Sequence, residues 1–207
     1  MKETLANAEQ PAGDTKKRRS IGARRNPESA AAVIKAARDL LHERGYAGFS
    51  IDEVARRAGA GKPTIYRWWP TKADLFLSVY SAEKCEAMPS VDEGSLGEAL
   101  TRYTLALWRF WRDNPAGGAF CGLVAEAQAS PAALAVLREK FLPERLEQLH
   151  DLFGKAAARN EIAADEVEDR IAIWIGFNWF HLLTGQLDMP PEVIKRCVLL
   201  ITGTAKA

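Results

Sequence analysis

The stretch from Gly45 to Phe76, GYAGFSIDEVARRAGAGKPTIYRWWPTKADLF, decides the fold. Ser50 to Glu53 spells a capping box, with Ser50 accepting from the amide of Glu53 while the Glu53 carboxylate reaches back. Ile51, Val54, Ala55 and Ala58 then recur at i, i+3, i+4 and i+7, the apolar stripe of a helix of about two turns. Gly59 and Gly61 bound a short turn, Pro63 suits the first turn of another short helix, and Pro70 stops it. Two short helices across a glycine-containing turn, the second rich in polar and aromatic side chains, read as a helix-turn-helix over residues 50–69. Packing the first stripe against Val33, Ile34 and Ile65 leaves the other face of the second helix outside, carrying Lys62, Thr64, Tyr66 and Arg67. A major groove about 12 Å wide admits such a helix.

Working outward, Asn26 and Pro27 provide a cap and a first helical residue for a helix with Val33, Ile34, Ala37, Leu40 and Leu41 on one face, which Gly45 ends. Thr71 with Asp74 opens a fourth helix that carries Leu75, Phe76, Val79 and Tyr80 inward as far as Pro89. Caps at Ser95 with Glu98, Ser130 with Pro131 and Asp165 with Glu168, and breaks at Asn114-Pro115, Asn160 and Pro190-Pro191, divide the remainder. They predict five more helices, over about 95–113, 116–128, 131–158 with a bend near Pro143, 165–185 and 191–204. Alternating strand patterns and internal repeats are absent, so the fold class is all-α with about nine helices.

The 207 residues are 47% hydrophobic and 27% charged, the composition of a globular protein rather than a disordered chain or a membrane bundle. Cys85, Cys121 and Cys197 form neither a disulfide framework nor a zinc-finger spacing, so a reducing, cytoplasmic compartment without structural metal or other cofactor is expected. The first twenty residues are polar and basic and lack the apolar run of a secretory signal. A net charge of +1 conceals a split: residues 1–80 hold 15 Lys and Arg against 9 Asp and Glu, and the rest is acidic. Clustered cations of this kind suit a polyanion, because they release counterions on meeting phosphates. Residues 1–25, with Lys16, Lys17, Arg18, Arg19, Arg24 and Arg25, read as a disordered basic arm.

The segment quoted first resembles the DNA-binding domain of the TetR family of bacterial transcriptional regulators. The likeness lies in the glycine ending the first helix, the N-capping Ser50, the Ala58-Gly59 turn, the Thr64-Ile65-Tyr66 core, the aromatic pair Trp68-Trp69 and Lys72 opening helix four. It implies a DNA-binding domain over 26–87 and an effector-binding, dimerisation domain over 88–207, in a homodimer that binds a double-stranded pseudo-palindromic operator. It makes Ser50 a phosphate contact, Lys62, Thr64 and Arg67 groove-facing readers, Tyr66 and Trp68 backbone contacts and Lys72 a phosphate clamp. Trp68 stands where the family commonly has His or Tyr, and Trp69 where a buried Phe is usual. Ile65 and Trp69 are therefore read as core. Between Lys62 and Arg67, the guanidinium is the better reader of guanine, since it forms a fork to O6 and N7. By its charge, the arm offers further minor-groove or phosphate contacts.

Between Arg170 and Asp188 lies an uncharged run, IAIWIGFNWFHLLTGQL, about 26 Å long as a helix and short of the ~20 apolar residues that a bilayer needs. No membrane partner is expected. A helix apolar all round is buried on several sides. With the last helix it makes the dimer-interface candidate, through Phe177, Phe180, His181, Thr184, Val193 and Cys197. Tyr103, Trp108, Trp111, Phe120, Trp174, Phe177 and Asn178 are candidates for a small apolar or aromatic effector. His181 is no metal ligand by spacing, since no second His or carboxylate stands at ligand distance on its helix.

Enzyme motifs fail. GAGKPT matches only the end of a phosphate loop, with Arg56 where glycine is required and Pro63 where Ser or Thr is required; GxGxxG, HExxH and GxSxG are absent. Two alternatives to a ligand-released repressor stand: a helical binding protein or enzyme localised by its basic N-terminal module, and a DNA binder without a ligand.

Overall fold

The computed structural model describes residues 27–89 and 94–203, so the expected arm, the Asn26 cap and residues 90–93 lie outside the described residues. Every described element is helical: α1 (Pro27–Gly48), α2 (Ile51–Ala58), α3 (Lys62–Trp68), α4 (Lys72–Ala87), α5 (Leu96–Asp113), α6 (Pro115–Ala129), α7 (Pro131–Val136), α8 (Leu142–Ala158), α9 (Val167–Leu183) and α10 (Pro191–Thr202). A π-helical turn, Leu137–Phe141, makes α7 and α8 one continuous rod, and with it the described residues form nine rods. No single helix among them is long and apolar enough to cross a membrane.

The boundaries follow from satisfying the free amides of each first turn. Thr71–Asp74 and Ser95–Glu98 form complete capping boxes, Asn114 Oδ1 accepts from the amides of Ala116 and Gly117, and Ser130 Oγ from that of Ala133. Three boundaries depart from expectation. The Ser50 box is half formed: Ser50 Oγ accepts from the Glu53 amide at 3.3 Å, but the Glu53 carboxylate is taken by Arg56 and Arg57 in charge-assisted bonds stronger than a backbone donor offers. Asp165 does not cap α9; it lies in a 3-10 turn, Ala164–Glu166, and the helix starts at Val167 without a side-chain cap. Gly45 breaks the first rod with φ 60° and ψ −170°, after which one further turn runs to Gly48. The bend expected at Pro143 takes the form of the π turn just before it. Pro143 has no N–H, and its ring opposes the carbonyl one turn back; widening the preceding turn absorbs the conflict.

The N-terminal three helices sit on α4 and α6, and α4 runs on into the C-terminal helices. Its Leu75, Phe76, Val79 and Tyr80 are fully buried. An aromatic chain leads through it: Tyr46 meets Phe76 edge-on at 5.0 Å, Phe76 meets Tyr80, and Tyr80 touches Phe110, Phe120 and Phe141. Buried Glu83 of α4 answers Arg38 and His42 of α1, and buried Asp74 pairs with Lys140 of the π turn. One close approach joins the two halves. A Cβ on Gly122 of α6 would stand 2.7 Å from Tyr46 Cβ and 2.8 Å from its ring.

Gly122→Ala is expected to lower the thermal midpoint, because overpacking by about 1–3 kcal/mol outweighs the helix-propensity gain of up to ~1 kcal/mol. Gly154→Ala, where nothing lies within 4 Å, should raise it. Calorimetry of the two variants checks the pair.

Candidate functional site

Helix α3 has seven residues, and two side chains at its inner face and end fix it: Ile65 is fully buried and Trp69 nearly so, the indole Nε1 donating to Ser78 Oγ of α4 at 2.8 Å. The rest of the helix faces out. Lys62, Pro63, Thr64, Tyr66 and Arg67 are all exposed, Trp68 is half-buried, and Ser50 is exposed at the start of α2. Of the residues expected to read and grip DNA, Ser50, Lys62, Thr64, Tyr66 and Arg67 are exposed and Trp68 and Lys72 half-buried, and the two expected to be core are core.

Electrostatics on this surface are partly pre-committed. Lys62 Nζ rests 2.8 Å from Asp52, whose carboxylate holds the ammonium pKa above its ordinary value. The Arg67 guanidinium lies 5.3 Å from the Trp68 ring centroid, a cation–π contact that pre-positions it. Behind them, Arg57 spans the Glu43 carboxylate with both nitrogens at 2.8 Å and also meets Glu53, so α1 and α2 are cross-tied. Bonds from Arg56 and Arg57 push the Glu53 carboxyl down to about 2. Lys72 departs from the simple picture of a free clamp. Its Nζ lies 4.0 Å from the Tyr46 ring centroid and 3.5 Å from Glu126 Oε2 of α6.

A second feature lies at the far end of α4. Helices α4, α5, α8 and α9 and the π turn enclose a cavity of about 450 Å³. Four of the expected effector residues line it: Tyr103, Trp111, Trp174 and Asn178. Three do not. Trp108 is turned onto Phe177 and His181, with its indole N–H given to Asn178 Oδ1 at 2.8 Å. Phe120 is locked between Tyr80 and Phe141, 4.9 Å from each, and Phe177 sits on the Trp108 side of α9. The cause is helical phase: Tyr103, Leu107 and Trp111 follow one another at i+4 on the cavity face of α5, and Trp108 is one residue, about 100°, further round. Asn178 is a wall rather than a free anchor, since Trp108 and the Trp174 carbonyl engage both ends of its amide.

Sequence reasoning missed the charged lining, Lys84 of α4 and Glu144, Arg145 and Asp151 of α8, with the polar Gln148 beside them. Lys84 is only 4% exposed, and burial pushes its ammonium pKa down to about 7, with the Arg145 cation adding to the effect and Glu144 opposing it. The signal was available in the spacing, because Lys84 follows Phe76 and Tyr80 at i+4 steps on the inward stripe of α4.

The expected dimer face divides in the same way. Phe180 and Thr184 are exposed and Val193, Cys197 and Phe177 half-buried, but His181 is buried, its ring 4.7 Å from Trp108 and its Nδ1 at 2.9 Å from the Phe177 carbonyl. His181 therefore belongs to the interior. Ile173 and Leu183 on α9, the helix of Phe180, and Leu199 and Leu200 on α10 are further exposed apolar side chains not singled out from sequence; Leu200 is 83% exposed. Among the described residues no group of three His, Cys, Asp or Glu is placed to hold a metal.

Comparison with known proteins covers both halves of the chain. Residues 33–79 match the model of bacterial regulatory proteins of the tetR family, and residues 90–201 match the tetracyclin repressor-like C-terminal domain. The HTH-type transcriptional regulator YdeS of Bacillus subtilis is 27% identical over 81% of this chain and 85% of its own length. The HTH-type transcriptional regulator AqdR of Rhodococcus erythropolis is 24% identical over 82% of this chain and 81% of its own. Among solved structures, the TetR family transcription regulator SCO0332 superposes with a TM-score of 0.72 at 25% identity, covering 86% of this chain and 99% of that one.

Asp52→Asn frees Lys62 and removes an anion from the exposed surface. It should tighten binding to any duplex severalfold and steepen the dependence on salt. Titrations of parent and variant with a random duplex at two salt concentrations check this.

Proposed function

Because the chain belongs to the TetR family of bacterial regulatory proteins, we propose that it is a dimeric repressor that binds a pseudo-palindromic operator and is released by a small molecule held in the α4–α5–α8–α9 cavity. It is a DNA-binding transcriptional regulator, not an enzyme. The observation that carries the finer reading is that one helix serves both features: Lys72 starts α4 beside the exposed α3, and Lys84 near its other end enters the cavity.

On DNA, α3 enters the major groove. Arg67 reads a base, guanine by its fork geometry; Lys62 and Thr64 read alongside it; Ser50, Tyr66 and Trp68 hold the backbone. Lys72 serves as a phosphate clamp by exchanging Glu126 for a phosphate, which makes its grip sensitive to the seating of α6 against α4. Two copies place their α3 helices in successive major grooves about 34 Å apart. The exposed apolar side chains Ile173, Phe180, Leu183, Leu199 and Leu200 of α9 and α10 are the mutual surface, a patch that a lone protomer would leave in water. Gly176 on α9 has nothing within 4 Å of its would-be Cβ, so a partner helix can approach closely there. The work is done in the bacterial cytoplasm, where the DNA is.

Release is a population shift. A ligand that fills the cavity better in the conformation with the wrong α3 spacing moves the protein off the operator, and near-complete switching needs about 5.5 kcal/mol of differential affinity. Retention on DNA flanking the chain's own gene, against random duplex of equal length, tests the reading; equal retention on both overturns it.

Arg67→Ala should cost about 1–3 kcal/mol on the operator and relax preference at one base position, whereas Lys72→Ala should weaken all sequences alike and reduce the salt slope by about one. Binding to a panel of single-base operator variants separates the two. Phe180→Asp, at a position 57% exposed in the protomer, should leave the fold intact and shift a micromolar sample from dimer to monomer in sedimentation.

A further inference from the structure

We propose that the cavity is built for an organic acid, a single carboxylate on an apolar body, with the carboxylate between Lys84 and Arg145 and the body against Trp111, Trp174 and Leu152. The inference rests on the effector reading above and names the chemistry of its ligand.

The charges that face the cavity come from two helices. Lys84 projects from α4, is buried, and forms no ion pair among the described residues; its Nζ stands 5.5 Å from the Tyr103 ring centroid. Arg145 projects from α8, its side chain 14% exposed, with Nη2 donating to Ser81 Oγ at 3.1 Å and Nη1 to Gln148 Oε1 at 3.3 Å. Its Nε is buried without a hydrogen-bond partner. The two acids in the lining sit differently. Glu144 is half exposed and 3.5 Å from Arg145, and Asp151 is exposed and paired with Lys155 at 2.7 Å. Burial raises the Tyr80 and Tyr103 phenols, so both are neutral near pH 7.

The interior is therefore cationic where it is closed and acidic only on the solvent side. A buried ammonium is a costly feature in an apolar chamber unless an anion arrives to meet it. Glu144 stands beside the Arg145 charge, so the protonation of Lys84 that accompanies binding leaves one positive charge to answer and favours a monoanion over a dianion. The Lys84 ammonium and the outer nitrogens of the Arg145 guanidinium supply the charge-assisted bonds that a carboxylate accepts. The remaining lining, from Leu107, Trp111, Leu149, Leu152, Trp174 and Ile175, takes an apolar body, and the volume lies within the range of small-molecule sites.

An anion beside Lys84 stabilises its charged form, so binding takes up a proton, and affinity falls as pH rises above the free value of about 7.

The test uses the full chain and two probe pairs, 2-naphthoate with 2-naphthamide and decanoate with decanamide, in calorimetry with two buffers of different ionisation enthalpy. The expected result is that at least one carboxylate binds about tenfold or more tightly than its amide, with proton uptake at pH 7.5–8. Lys84→Met should abolish that preference and the uptake while melting no lower than the parent; Arg145→Gln should reduce the preference. Amides that bind as well as acids, absence of millimolar binding by either acid, tighter binding of 2-naphthyl phosphate, or a preference that survives Lys84→Met each overturn the carboxylate site. An acid that binds with Lys84 dependence but leaves operator retention unchanged upholds the site and removes the effector role assigned to it.

Discussion

A seven-residue helix cannot hold itself in water, because nucleation costs more than so few hydrogen bonds return. Helix α3 exists because Ile65 and Trp69 are buried beneath it and the Trp69 indole is tied to Ser78. Everything proposed for DNA recognition depends on that anchoring. Burying these two side chains spends the inner face of the helix, and the geometry of one short turn leaves Lys62, Thr64, Tyr66 and Arg67 no place except outside. The reading surface is what remains after the packing has been satisfied.

The same logic makes α4 the axis of the molecule. Its first turn is fixed twice over, by the Thr71 capping box and by Asp74, which serves that box and also meets Lys140 of the π turn. Its middle is fixed by buried Glu83 against Arg38 and His42, and by the aromatic chain from Tyr46 to Tyr80. Such contacts tie α4 along its length, so the end beside α3 and the cavity end belong to one packed element. Lys72, shared between Tyr46 and Glu126, sits where the DNA-binding helices, α4 and α6 meet.

How far these features could be read from sequence depended on whether the signal was local. Thr71 with Asp74 and Ser95 with Glu98 announce helix starts through bonds within four residues and were legible, whereas Asn114-Pro115 was legible as a break but not as the cap that Asn114 makes. Ser50 with Glu53 carried the same spacing but half failed, because Arg56 and Arg57 outbid the backbone for the carboxylate. The cavity was legible as a class of feature and poorly legible as a set of residues. Aromatic richness said that α5 and α9 had inward faces; it could not say which face was lined and which was filled, so Trp108, Phe120 and Phe177 were placed at the ligand and belong to the packing instead. His181 was misplaced for the same reason, since an uncharged helix offers no polar face to orient it. Lys84 went unnoticed because a lysine reads as surface by default, although its i+4 spacing from Tyr80 put it on the buried stripe.

The π turn at Leu137–Phe141 bears on how such a cavity tolerates a change in chain length. A π turn holds one residue more than the α turn it replaces, and each residue of an α-helix advances the phase by about 100°. Deleting one residue within it would close it to an α turn and leave α8 in register, with Glu144, Arg145 and Gln148 still at the chamber. The turn is thus a buffer of helical phase: a one-residue loss there is taken up locally instead of being passed to the side chains that line the chamber.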